Sequence, residues 1–184
     1  MKTKLIENEV KYIGSPLAPH WIYKNYKLMG DAIVAFKGEC EVKLTEMVDI
    51  EDVINNEPIY SKSMLSFITE QFNINLVEGV FRQRLLICII KEELEKRGIF
   101  VVRNGDDLMI NGAKLTVSIA TKSHTSILIH TGINILSEGA PVKACGLTSE
   151  LGIVDIKEFA NTIMQRYSDE IEDIVLASTK VRGV

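Results

Sequence analysis

An Asn-Gly pair at 111–112, set between two alternating runs, restricts this chain more than any other feature. Both central residues of a type I′ turn need positive φ, which Asn and Gly tolerate, so the pair predicts a two-residue hairpin joining 107–110 to 113–121. Along the second run Lys114, Thr116, Ser118 and Ala120 fall on one face, and Leu115, Val117, Ile119 and Thr121 on the other. The turn pairs Ile110 with Ala113 and Met109 with Lys114. Asp107 then lies opposite Thr116, on the face of Lys114. Lys122-Ser123-His124 turns the chain into a third strand over 125–131. With a three-residue loop Thr121 meets Thr125 and Thr116 meets His130, and one face carries Asp107, Lys114, Thr116, Ser118, Ser126 and His130. A two-residue loop turns the third strand over and takes His130 off that face. Alternation alone describes a sheet with one buried and one wet face, on which a lysine is a solvated charge.

The flanks supply the other elements. Residues 2–13 read as a first strand, ended by Gly14. Ser15 caps a helix with Pro16 in its first turn, carrying His20, Trp21, Tyr23 and Tyr26 as far as Leu28. Its aromatics either stack on a flat ligand or pack against a sheet. Gly30-Asp31 precedes AIVAF, a buried strand, and Lys37-Gly38-Glu39 turns it into a partner strand over 40–44, with Cys40 as a small hydrophobe. Residues 46–54 form a short helix or an extended crossover. Its acids Asp49, Glu51 and Asp52 diverge, a poor arrangement for a cation. Ser61 or Ser63 caps a helix to Phe72, with Met64, Leu65, Phe67 and Ile68 on its apolar side. A long helix spans 76–97 and is stopped by Gly98. Val77, Val80, Phe81, Leu85, Cys88 and Leu94 give it helical spacing. Leu86, Ile87, Ile89 and Ile90 make its middle apolar nearly all round, which calls for burial under the sheet or in a homodimer contact. Residues 99–103 lead into the hairpin, and 137–153 show little periodicity. Asp155-x-x-Glu158 is a capping box for a last helix facing inward through Ile156, Phe159, Ala160, Ile163, Tyr167 and Ile171, then Ile174 and Val175. Strands, helices, a strand meander and a final helix make an α+β chain, with a largely antiparallel central sheet and flanking helices in one domain over 1–184.

Composition narrows the partners. Apolar residues at 46% supply a core, and charged residues at 25% are too ordinary for disorder. A net charge of −4 without a basic stripe excludes a nucleic-acid backbone as the main partner. Three widely spaced cysteines, Cys40, Cys88 and Cys145, exclude a disulfide scaffold and a Cys-based zinc site. The longest apolar run, 85–90, is far too short to cross a bilayer, and MKTKLIENEVKYIG lacks a signal core, so a cytoplasmic protein without membrane contact is expected. No GxGxxG or P-loop is present.

The segment GDDLMINGAKLTVSIAT (105–121) resembles the central motif of the biotin and lipoate protein ligases. Asp106-Asp107-Leu108 matches their Asn-Asp-Leu/Ile stretch, and Gly112-Ala113-Lys114-Leu115 their glycine turn and strand-opening lysine. More broadly the chain is similar, from HWIY through GDAIVAF and MVDIEDV to the closing GL…ELGI, to an uncharacterised prokaryotic family of that superfamily. The resemblance implies the biotin/lipoate ligase fold, shared with class II aminoacyl-tRNA synthetases. It also implies that Lys114 contacts a carboxylate or acyl phosphate. ACGLTS (144–149) is similar to the Pro-Cys-Gly…Thr-Ser segment of octanoyltransferases, with Ala144 in place of Pro, and implies Cys145 as a nucleophile beside the lysine. The nearest counterpart of the ligases' Gly-rich segment, Gly30-Asp31-Ala32-Ile33-Val34, has one glycine and no arginine. Wrapping phosphates needs successive free N–H groups, so the cofactor stays open and ATP is weakly provided for.

Three functions are expected on this basis. In the first, a small carboxylic acid is activated and its acyl group transferred, a carrier protein being one acceptor, with Lys114 stabilising developing charge. Asp107 orients the lysine, and Arg103 meets an anion. In the second, Cys145 attacks an acyl thioester with Lys114 lowering its pKa. In the third, the fold binds a small molecule without chemistry. Lys114 and Cys145 are the catalytic candidates. Arg103, Asp106, Asp107, Thr116, Ser118 and His130 are the ligand-binding ones.

Overall fold

The computed structural model describes residues 1–183. Its main sheet runs β1 (Lys2–Leu5), β2 (Ala32–Val42), β3 (Ile59–Gln71), β8 (Ile127–Asn134) and β7 (Thr116–Lys122), in that order across the sheet. Only β1 is parallel to its neighbour. A second sheet of three short strands holds β4 (Val102–Asn104), β5 (Asp107–Ile110) and β6 (Ala113–Lys114). Two long helices, α3 (Leu76–Lys96) and α4 (Ile156–Thr179), cover one face of the main sheet, burying Phe67, Leu86, Ile90, Leu94, Phe159 and Tyr167 in one core. The opposite face carries a smaller cluster including Phe36, Cys40, Met64 and Ile68, with α1 (Trp21–Tyr26) packed on it through Ile22. The fold is therefore α+β with a mostly antiparallel sheet and flanking helices, as expected.

Several local expectations are corrected. Residues 61–72 are not a helix. Residues 61–71 lie in β3, which from Met64 onward is hydrogen-bonded between β2 and β8 and buried on both faces. An apolar run of that length fits a central strand as well as a helix, and pairing on both sides decides. Lys37-Gly38-Glu39 is not a turn but a bulge inside an unbroken β2. A Cβ at Gly38 would lie 2.2 Å from the Val10 carbonyl oxygen, so the glycine lets residues 10–12 run close alongside. The first strand stops at Leu5, and the chain rejoins β2 through the Val10 N–H, which donates to the Lys37 carbonyl at 3.0 Å, and through Tyr12, which bridges Cys40. The helix expected from Ser15 begins at Trp21, because His20 sits at φ 62°.

The two long helices start where expected, α4 at its expected Asp155 cap and α3 at Asn75, a cap not assigned from the sequence. Asn75 accepts from the Glu78 N–H and Asp155 from the Glu158 N–H, both at 2.9 Å. Gly98 ends α3 at φ +76°. The buried side of α3 differs from the expected one, however. Gly79, Gln83, Leu86, Ile87, Ile90 and Leu94 face inward, while Val77 and Phe81 are 66% and 71% exposed. In α4, Ile174 and Val175 are likewise exposed. Among the described residues no helix is long and apolar enough to cross a membrane.

Candidate functional site

The hairpin forms as its Asn-Gly pair dictates. Asn111 and Gly112 have φ of 51° and 73°, and Ile110 pairs with Ala113 and Met109 with Lys114. The expected straight second strand breaks at Leu115. Its N–H donates to the Leu108 carbonyl at 2.8 Å, while the Thr116 hydroxyl takes the Leu108 N–H at 2.8 Å. A side-chain acceptor thus replaces a backbone one where the chain leaves the small sheet for the main one. Lys114 is fixed just before this step. Its N–H donates to the Lys143 carbonyl at 2.9 Å, and its carbonyl accepts from the Cys145 N–H at 3.0 Å and from Asn134 Nδ2 at 3.4 Å. The main chain is clamped, and the side chain reaches a cavity on the sheet's less covered face, where Nζ lies 3.0 Å from Asp107 Oδ1.

That cavity measures 260 Å³, close to the lower end of the roughly 300–1,000 Å³ usual for ligand pockets. Its floor is sheet: Met64, Val117, Ile119, His130 and Asn134, with the Tyr12 ring stacked on His130 at 3.8 Å and 16°. One wall is the stretch from the short 3-10 turn Leu44–Glu46 through α2 (Ile50–Asn55) to Pro58, and contributes Glu46, Met47, Asp49, Asp52 and Glu57. The facing wall holds Pro141, Val142 and Ala144. His130 is buried and its pKa is driven down to about 3 by burial, so its imidazole is neutral, with Nε2 3.3 Å from the Ser66 hydroxyl. The Asp52 carboxyl is shifted upward, first by burial and then by the Asp49 charge, with Lys114 pulling the other way.

The candidate residues separate. Lys114, Asp107 and His130 meet at the cavity. His130 arrives by a register different from the expected one. The loop after β7 has four residues, 123–126, so Lys122 pairs with Ile127 and His130 with Ile119. An offset of odd parity turns one strand over relative to the other. Thr116 and Ser118 are therefore on the helix side, and do not share a face with His130. The Ser118 hydroxyl touches the edge of the cavity but accepts from Gln83 Nε2 at 3.0 Å and lies 2.8 Å from Thr131 Oγ1. Thr116 is committed to the Leu108 N–H. Asp106 also reaches the cavity edge, where Arg84 lies 3.2 Å and Gln83 3.1 Å away on α3. Arg103 is exposed on β4 and bonds the Gly105 carbonyl.

Cys145 is not brought to the cavity. Its neighbour Ala144 lines it, while Cys145 packs into the helix-side core, where burial, then the Glu150 charge, raise its thiol pKa. A thiol on the far side of the backbone from Lys114, held protonated, is the reverse of an activated nucleophile. Trp21 packs against Tyr26 and Phe36 and lies outside the cavity. Tyr12 and Asn134 line the cavity without a signal in the sequence, and Asp52, considered there only for a cation, lines it too. Tyr12 sits in a polar stretch without alternation, and the acids of 46–57 read as solvated.

The residues present do not fit a nucleoside triphosphate. Asp31, in the segment nearest to a phosphate loop, spends its carboxylate on the Phe72 N–H at 2.8 Å, and the cavity wall is acidic. Among the described residues no group of three or more His, Cys, Asp or Glu side chains is arranged to hold a metal ion.

Comparison with known proteins agrees with this architecture. An uncharacterized protein of Methanocaldococcus jannaschii, MJ0805, is 37% identical over 180 residues, 95% of this chain and 81% of that one. A solved protein of unknown function from Pyrococcus horikoshi is 41% identical, with a TM-score of 0.94 over 100% of this chain and 98% of that one. Ligases share the fold at low identity. A putative lipoate protein ligase from T. acidophilum with bound lipoic acid has a TM-score of 0.60 at 13% identity, covering 94% and 86% of the two chains. A biotin protein ligase from Aquifex aeolicus has 0.58 at 15%, covering 94% and 70%. The family described as a domain of unknown function (DUF366) matches residues 1–182, and the chain belongs to that family.

Proposed function

We propose that the cavity binds the carboxylate or acyl end of a small organic acid, with Lys114 meeting the acyl oxygen and Asp107 holding the ammonium in place until the ligand arrives. The observation that carries this reading is the clamped Lys114 backbone, which aims a single ammonium group into a half-enclosed cavity. Lys114 and Asp107 are each about one-third exposed, so their ion pair is weak enough to open for a ligand. The T. acidophilum ligase of the same fold was solved with lipoic acid, which makes a small acid the natural first class to test.

Binding without turnover is the form favoured by the placement of Cys145 in the core. Acyl transfer is the second reading, favoured by the T. acidophilum ligase, which was solved as a system with its E2 lipoyl domain. There an amine of a carrier protein would attack the acyl carbon of a thioester, the thiol would leave and take the amine's proton, and Lys114 would hold the acyl oxygen. No cysteine nucleophile and no ATP enter that step.

Thermal shifts of the wild type and Lys114→Ala with lipoate, biotin, octanoate and ATP test the reading. A ligand at a hundred times its dissociation constant adds about 2.7 kcal/mol to stability. A shift from an acid, lost in Lys114→Ala and not matched by ATP, is expected. Acid binding that survives the substitution places the site elsewhere.

A further inference from the structure

The charge around the cavity does not match a simple acid. Lys114 is its only lysine, and Asp107 already pairs with it. The opposite wall brings Glu46, Asp49, Asp52 and Glu57, and among the described residues none of the four has a lysine or arginine within ion-pair distance. Asp49 is occupied as the cap of α2, accepting from the Glu51 N–H at 2.8 Å, which leaves Glu46, Asp52 and Glu57 as free carboxylates, the last two on and just after α2. A plain carboxylate is drawn by Lys114 but gains nothing from the acidic wall, and a polyphosphate would meet repulsion there.

A second, independent feature asks for a polar ligand group. Tyr12 is only 3% exposed, lines the cavity and stacks on the neutral His130. No hydrogen bond to its hydroxyl is present among the described residues, and the oxygen is not one of the three unpartnered side-chain atoms sealed from solvent. It therefore opens into the cavity. Burial raises its pKa, so it remains a phenol that can accept from a ligand N–H. No protein group occupies this hydroxyl, so a ligand group entering the cavity can take the place of water on it.

We propose that the ligand is zwitterionic: besides the carboxylate that Lys114 takes, it carries a protonated amine that sits between the Tyr12 hydroxyl and the Asp52–Glu57 wall. The carboxylate half rests on the reading above, and the ammonium half rests on the wall and on Tyr12. Such a compound is of amino-acid type, compact enough for 260 Å³, and matched in charge at both ends.

The test is calorimetric titration of the full chain with three matched sets: butyrate, γ-aminobutyrate and butylamine; valerate, δ-aminovalerate and pentylamine; caproate, ε-aminocaproate and hexylamine. Magnesium chloride is a separate arm. Wild type, Asp52→Asn, Glu57→Gln and Lys114→Ala are compared. For at least one set, the amino acid should bind about tenfold tighter than the plain acid, the worth of a charge-assisted hydrogen bond. Asp52→Asn or Glu57→Gln should remove that advantage, weakening the amino acid while the plain acid, freed of a repelling charge, binds as well or better. Plain acids binding as well as their amino counterparts overturns the ammonium inference and leaves the carboxylate reading standing. Amines binding in a manner sensitive to Asp52→Asn but indifferent to Lys114→Ala does the reverse. Magnesium competing with the amino acids, and lost in Asp52→Asn, would assign the wall to a metal ion instead. Absence of binding by every probe overturns both.

Discussion

His130 is forced by its neighbours into one protonation state. It is stacked under Tyr12, bonded to Ser66 and closed off from solvent, and its pKa falls to about 3. The unfolded chain protonates a histidine near pH 6.5. Between that value and about 3 the unfolded state binds the extra proton, so stability falls as pH falls through this window, with a slope approaching 1.4 kcal/mol per pH unit from this residue alone. Above pH 6.5 the group contributes no slope. Urea titrations from pH 7 to 4 should show that loss in the wild type and a shallower one in His130→Gln. Equal slopes would mean that the ring charges freely in the fold. Chemistry at this scale was partly legible in the sequence. The Asn111-Gly112 turn fixes the Lys114–Asp107 pair through local geometry alone, whereas the Tyr12–His130 stack joins residues 118 positions apart, which no local pattern reports.

Helix α3 shows at the next scale why the pattern of apolar residues misled. Its inward stripe includes a glycine and a glutamine, and its most hydrophobic exposed residues point away from the sheet. Gly79 is there because α3 passes over β8 with no room for a methyl group. A Cβ would lie 2.5 Å from Ile127 Cγ2. Helix propensity favours alanine over glycine by about 1 kcal/mol, but overpacking costs about 1–3 kcal/mol. Gly79→Ala should therefore lower stability by roughly 1 kcal/mol despite the better helix former. In an Ile127→Ala background the same change should turn neutral or stabilising, and a denaturation double-mutant cycle measures the difference. Strand β3 teaches a related lesson. Met64, Leu65, Phe67 and Ile68 fit one side of a helix, yet the preceding strand β2 and the distant strand β8 pair with this segment and take it as the sheet's centre. Caps and tight turns are written in neighbouring residues, so both long helices and the hairpin were found. Pairing partners are written elsewhere, so the sheet order, the four-residue loop at 123–126 and the Leu115 break were not.

Taken whole, the molecule is asymmetric about its sheet. One face is sealed by α3 and α4, with most of the large buried side chains beneath them, while the other carries α1, the cavity and a wall in which no residue from 43 to 60 is buried. Local opening follows buried contact, so amide exchange should separate the two. Protons on β3, β8 and the middle of α3 should exchange only with global unfolding, and those of α2 within the earliest time points, with a bound ligand slowing the second group and leaving the first unchanged. The same asymmetry bears on how such a chain can change over generations. The pieces that shape the cavity's acidic wall contribute little to the energy that keeps the protein folded, and the pieces that keep it folded barely touch that wall. Mutations between 43 and 60 can therefore be tried at small cost to folding. A family built this way can explore new ligands by rewriting one short stretch, while the helices behind the sheet are inherited nearly intact.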